Sequence, residues 1–275
     1  MFIPFKIKKL VIDSECDGYN YDTEDVKNYL LNHINTDSIK DALINGTKLQ
    51  EDWFPSRSYN SRFQVFISHA HKDEETVKRL AGFLKDRCGL NSFIDSVYWN
   101  YIGTLQKDLD DFYSSYVRND LYLYDYQTSN FVAANVHIML SMALIKMMDA
   151  CECLLFVDSD NSLKYEKGQK TATPSPWIYE EMGFSQMLRV NIPERYKEQI
   201  HVNLNESREI LEIKMMNISA EVRQMNIQYQ VNLRDFKELE SSDLKNVGQF
   251  RSGTEVLDHW YKKYGIENVV NKLNG

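Results

Sequence analysis

Residues 63–95 read FQVFISHAHKDEETVKRLAGFLKDRCGLNSFID, the pattern of a strand, a helix and a second strand. Residues 63–67 form a short, almost continuous apolar run, as a parallel strand covered on both faces requires, and the run ends in polar Ser68, His69 and His71. Helical spacing follows. Asp73 is the expected N-cap, Glu74 and Glu75 suit the positive end of the helix dipole, and Val77, Leu80, Ala81, Leu84 and Cys88 recur on one face. Gly89 stops the helix, because a left-handed closing residue is cheapest as glycine. Residues 90–94 then supply the second strand, with Asp95 at its carboxyl end as Ser68 is at the end of the first. A crossover of the usual hand puts both groups on one rim of a parallel sheet, where open α/β folds bind ligands.

A second stretch far downstream, SPWIYEEM at residues 175–182, reads as a helix start carrying chemistry. Ser175 is the expected N-cap and Pro176 the first helical residue. Trp177, Glu181, Phe184 and Leu188 then share one stripe, so Glu181 interrupts an otherwise apolar face beside an indole. Burying a charge without a partner is expensive, and a ligand is one such partner. The other reading is that Glu180 and Glu181 merely complement the helix dipole.

These three motifs, FISHAHKDEE, FIDS and SPWIYEE, resemble in sequence and order the TIR (Toll/interleukin-1 receptor) domain family, in its bacterial branch, over roughly residues 62–189. The resemblance implies a flavodoxin-like parallel sheet flanked by helices. It further implies an enzyme that takes NAD as substrate, with no other cofactor, and breaks its nicotinamide glycosidic bond, giving ADP-ribose or a cyclised or conjugated derivative. Glu181 matches the family's catalytic glutamate, Trp177 the tryptophan lining its pocket, and Ser68, His69 and Lys72 the loop that meets the dinucleotide. Asp95 joins the substrate-binding set from the rim, and Trp99, in the place of the family's long loop after the second strand, is suited to stack on a flat base. His-Ala-His after Ser68 departs from the family, which carries Tyr and basic residues there. The chemistry is coherent: leaving nicotinamide exposes an oxocarbenium-like ribosyl centre that a fixed anion stabilises, and a helix N-terminus is expected to keep Glu181 ionised. The implied setting is Thoeris-like antiviral defence, with self-association through TIR domains and a downstream effector sensing the product. Residues 96–103, with Tyr98 and Trp99, are the expected self-association loop. Two alternatives stay open: a TIR interaction module without catalysis, and another N-glycosidase or nucleoside transferase on a flavodoxin-like sheet.

Composition sets the wider bounds. The 275 residues, 43% hydrophobic and 26% charged, suit one large globular domain or one with an appendage. A formal charge of -8 argues against a nucleic-acid or anionic-membrane surface. Cys16, Cys88, Cys151 and Cys153 show no metal-ligand spacing and read as reduced thiols of a cytoplasmic protein. The N-terminus lacks the pattern of a signal peptide, and polar residues interrupt the richest apolar segment, 131–151, before it reaches the ~18 residues of a membrane span.

Around the core motifs, residues 1–60 are expected as an N-terminal α/β appendage packed on the main domain, 61–275, with an insertion at about 104–130. Residues 104–117 read as a helix, and Tyr122, Tyr124 and Tyr126 alternate as in a strand, expected as a Tyr-rich lid packed on the core in preference to a direct ligand contact. Residues 131–150 read as a helix apolar nearly all round and therefore buried, with His137 a core histidine. Residues 152–157 are the third strand, and 158–162 a rim loop rather than a calcium loop, since Leu163 replaces the turn glycine and Gln169 the bidentate glutamate. Residues 207–222 fit helix or strand equally, 227–233 alternate as a strand, and 254–264 close the chain as a helix.

Overall fold

The computed structural model describes residues 2–24, 63–119, 121–166, 169–188, 190–197 and 227–265, without the side chains of 98–105, 165–171, 194 and 197. The described chain begins with strand β1 (Pro4–Lys8) and helix α1 (Lys9–Glu15), followed after the undescribed stretch by β2 (Val65–Ser68). A 3-10 turn (His71–Asp73) leads into α2 (Glu74–Cys88) and β3 (Ser92–Ile94). Gly89 closes α2 at φ 64°, and the Leu90 N–H donates back to the Leu84 carbonyl at 2.9 Å, satisfying the helix end. Next come α3 (Asp95–Tyr113), an antiparallel hairpin of β4 (Ser115–Arg118) and β5 (Leu121–Tyr124), and α4 (Tyr126–Ala150). The chain continues through β6 (Cys153–Asp158), β7 (Lys164–Glu166), β8 (Gln169–Thr173), α5 (Pro176–Met187) and α6 (Glu194–Lys197). It ends in β9 (Tyr229–Gln230), β10 (Lys237–Leu239), α7 (Ser241–Lys245) and α8 (Gly253–Lys263).

Five strands form one sheet in the order β10-β1-β6-β2-β3, and every pairing in it is parallel. Helices flank the sheet, α1 packing with α2 and α7, and α4 with α3 and α5. The arrangement is α/β and compatible with a flavodoxin-like fold. Its inner strands carry no polar face: Val65, Phe66, Ile67, Leu154, Leu155, Phe156 and Val157 are all wholly buried. Register pairs Ile67 with Ile94, Ser68 with Phe156 and Lys8 with Asp158, so Ser68, Asp95 and Asp158 share the carboxyl rim as expected. The strand order reverses between β2 and β6, which makes their carboxyl ends the ligand crevice of such a sheet.

The N-terminal segment differs from the expectation of an appendage. Its first described strand lies inside the sheet between β6 and β10, burying Phe5 and Ile7 completely. Phe5 packs against Trp260 and Tyr261 of α8, with ring centroids 5.9 and 5.8 Å away, so the first and last described segments meet over one core. Two short helices expected over residues 22–44 fall, from residue 25 on, outside the described residues, as does the ambiguous segment 207–222. Gly82, inside α2, lets the backbone after α1 come close, since a Cβ there would stand 2.6 Å from the Asn20 carbonyl carbon.

Four further expectations are corrected. Residues 96–103 are not a loop, because α3 begins directly at Asp95. The Tyr-rich hairpin is not a lid on the core: Tyr116, Tyr122 and Tyr124 are 46, 60 and 46% exposed. Helix α4 is buried on one side only, through Val132, Val136, Leu140, Leu144, Met147 and Met148, and leaves Phe131, Ile138 and Met142 exposed. By length and composition alone it is apolar enough to cross a membrane. The alternation at 227–233 becomes only the short β9, while the edge strand β10 has no apolar run to announce it.

Candidate active site

Ser175 caps α5 by accepting the Ile178 N–H at 3.3 Å, and Pro176 opens the helix, as the sequence requires. This phase turns Glu181 into the protein, where it is fully buried. The Ser68 hydroxyl, at the end of β2, donates to Glu181 Oε2 in a short hydrogen bond. Asp95, at the end of β3, is 5% exposed and faces the same carboxyl. His69 is buried with its Nδ1 3.0 Å from Asp95 Oδ1 and 3.4 Å from the Ile67 carbonyl oxygen, and its Nε2 2.9 Å from Ser96 Oγ. Two strand ends, the first turn of α3 and the middle of α5 thus converge on two carboxyls, an imidazole and two hydroxyls.

The electrostatics are set by burial. Loss of solvent pushes the Glu181 carboxyl well above the usual carboxylate range, the adjacent Asp95 pushes it further, and the Ser68 hydrogen bond only partly opposes them. Glu181 is therefore a neutral acid in this arrangement. The expectation that the helix terminus keeps it ionised is corrected: Glu181 is the sixth residue of α5, beyond the first turn where the dipole acts. The same fact weakens the dipole-complement reading, since no acidic residue lies in that first turn. His69 is shifted upward; burial opposes its protonation, but the Asp95 carboxylate and the Ile67 carbonyl outweigh that. The cluster thus favours the protonated forms of both His69 and Glu181.

Trp177, one turn before Glu181, is half-buried, and the imidazole of His137 on α4 lies against it with ring centroids 5.3 Å apart at 48°. His137 is exposed rather than a core histidine, because it lies on the side of α4 away from the sheet. Lys72 is exposed in the 3-10 turn and takes no part in the buried cluster. Trp99 lies within α3, and its side chain is outside the description.

No protein-family model, curated protein or solved structure matches this chain. The site therefore stands on its own geometry.

Sequence reasoning brought Ser68, His69, Asp95 and Glu181 to one rim but missed Ser96, whose signal was its place directly after the second strand. It also placed Asp73 at the N-cap of α2, a position that residue holds without a capping hydrogen bond. The Asp73 carboxylate instead accepts from Lys9 Nζ at 2.9 Å, Asn161 Nδ2 at 2.8 Å and the Ser159 hydroxyl, tying the 158–162 rim loop to the starts of α1 and α2. No cluster of metal-binding side chains occurs among the described residues.

Proposed function

We propose that this chain is a TIR-type enzyme that hydrolyses or transfers at the nicotinamide glycosidic bond of NAD, in antiviral defence of the Thoeris kind. The observation that carries the reading is the fully buried Glu181 at the crevice of a parallel sheet, held by Ser68 and faced by Asp95. A neutral Glu181 stabilises no cation, but the nicotinamide ring of NAD is a pyridinium. Brought beside Glu181 in the opened crevice, that positive charge favours the carboxylate, whose proton passes to solvent water. The C1′–N bond then breaks, its electron pair leaves with neutral nicotinamide, and ionised Glu181 faces the ribosyl cation as a preorganised anion. Water, or a hydroxyl or amine of an acceptor, bonds to C1′ and releases a proton. Trp177 is placed in the reading as a stacking wall for the flat base. Since Glu181 is enclosed, turnover requires the crevice to open, in keeping with an activity that waits for a trigger.

A second reading, a TIR interaction module without catalysis, is favoured by that same enclosure, for a neutral, hydrogen-bonded carboxyl also serves as a core element. The deciding experiment incubates the purified protein with NAD, with and without lysate of phage-infected cells, and measures nicotinamide. Under the enzyme reading the parent releases nicotinamide, Glu181→Gln loses roughly 10²- to 10³-fold in rate, and Glu180→Gln retains activity. A parent that never turns over NAD leaves the interaction module, and equal rates in the two variants remove Glu181 from the mechanism.

A further inference from the structure

The hairpin of β4 and β5 is the least explained feature of the surface. It is a two-stranded sheet whose outer edges have no strand beside them among the described residues. Cross-strand register puts Val117 and Tyr122 on one face and Tyr116 and Leu123 on the other. Neither face is covered: Val117, Leu121 and Tyr122 are 68, 62 and 60% exposed, and Tyr116 is 46% exposed. An isolated two-stranded ribbon is marginal in water, and an apolar edge strand without lysine or proline offers nothing against pairing with another chain.

We infer that this hairpin is a dimerisation arm, whose β5 edge pairs antiparallel with β5 of a second copy about a two-fold axis. The inference is independent of the NAD reading. Centred on Tyr122, such pairing makes one four-stranded antiparallel sheet and sets Leu121 of one copy opposite Leu123 of the other. The tip of each arm then meets the root of its partner's arm. An open depression of about 430 Å³ lies at that root, lined by Gln106, Lys107, Asp110, Tyr124 and Ser129. Arg118, the exposed last residue of β4, brings a cation to the tip, and the depression offers Asp110 to match it. Tyr122 and Tyr124, on one face of β5, are 60 and 46% exposed, so the pairing brings their rings against those of the second copy. A two-fold contact uses the same patch on both copies, and an antiparallel strand pair is self-complementary in that sense.

Sedimentation equilibrium of the full chain tests this directly, with the expected result a dimer in the micromolar range. Tyr122→Lys, at an exposed position, should weaken that dimer by at least ~30-fold without changing the circular dichroism spectrum. Tyr122→Cys, next to the axis in a chain whose native cysteines are all buried, should form a disulfide-linked dimer under mild oxidation. The exposed control Asp86→Cys on α2 should not. A monomer at every concentration, a dimer unmoved by Tyr122→Lys, or equal cross-linking of the two cysteine variants overturns the inference.

Discussion

Replacing Glu181 by Gln should make the protein more stable at high pH, and the reasoning can be followed quantitatively. The Glu181 carboxyl is held well above its ordinary range, first by burial and then by Asp95. The folded state therefore keeps a proton that the unfolded chain gives up at about pH 4.3. A raised pKa contributes stability that is full below the unfolded value and is lost as pH rises through the folded value. Between those limits one extra bound proton tilts the unfolding free energy by about -1.4 kcal/mol per pH unit. His69, raised through Asp95, tilts it in the same direction above its unfolded value of about 6.5. The groups held low, such as Asp73 and Glu74, contribute stability that is lost only at acid pH, so they do not blur the window from about pH 6 to 9.

The amide introduced by Glu181→Gln would keep the volume, accept from Ser68 and carry no titrating proton. Urea unfolding followed by circular dichroism across that window, at intervals of about one pH unit, should therefore give a clearly flatter profile for Glu181→Gln than for the parent, with the variant the more stable of the two at the alkaline end. Asp95→Asn, which removes the charge acting on both groups, should flatten the profile as well. Parallel profiles for parent and Glu181→Gln would refute the view of Glu181 as a buried neutral acid.

Two further outcomes follow from packing. Gly82→Ala should cost about 1–3 kcal/mol, because the new methyl meets the Asn20 backbone rather than a flexible side chain, and overpacking of this kind is relieved only by moving main chain; a denaturation midpoint equal to the parent's would contradict that close approach. Asp73→Ala should cost about 1–3 kcal/mol, because it leaves the Ser159 and Asn161 donors without their acceptor and releases the part-exposed Lys9 ammonium. The loss, read from urea midpoints, should be smaller in acid, where the native carboxylate, held low by those partners, becomes protonated.

The central strands and the helix between them were legible because burial on both faces writes itself as an apolar run, and Gly89 marks a left-handed stop that little else could fill. Ser68, Asp95 and Glu181 could be brought together on paper because strand ends and helix phase follow from simple periods. What could not be read was which surfaces would be covered. Leu121, Tyr122 and Tyr124 have the composition of buried residues, yet they stand on an arm that the chain does not cover among its described residues. His137 sits in so apolar a helix that its exposure shows only once α4 is packed against the sheet by one side. The place of β1 was hidden for another reason: a five-residue strand gives no sign of its neighbours, and both of them lie more than a hundred residues away in sequence.

That separation bears on how the chain reaches its fold. Strand β1 leaves the ribosome early but pairs with Cys153–Asp158 and Lys237–Leu239, so its hydrogen-bonding edges wait for sequence made much later. At synthesis rates of ~5–20 residues per second, the wait for the first of these partners is roughly 7–30 s. Contacts of such long range slow folding, because loop closure precedes the reward of pairing. During that interval Phe5 and Ile7 have no core to enter, which makes the first few residues the natural place for a chaperone to hold the nascent chain.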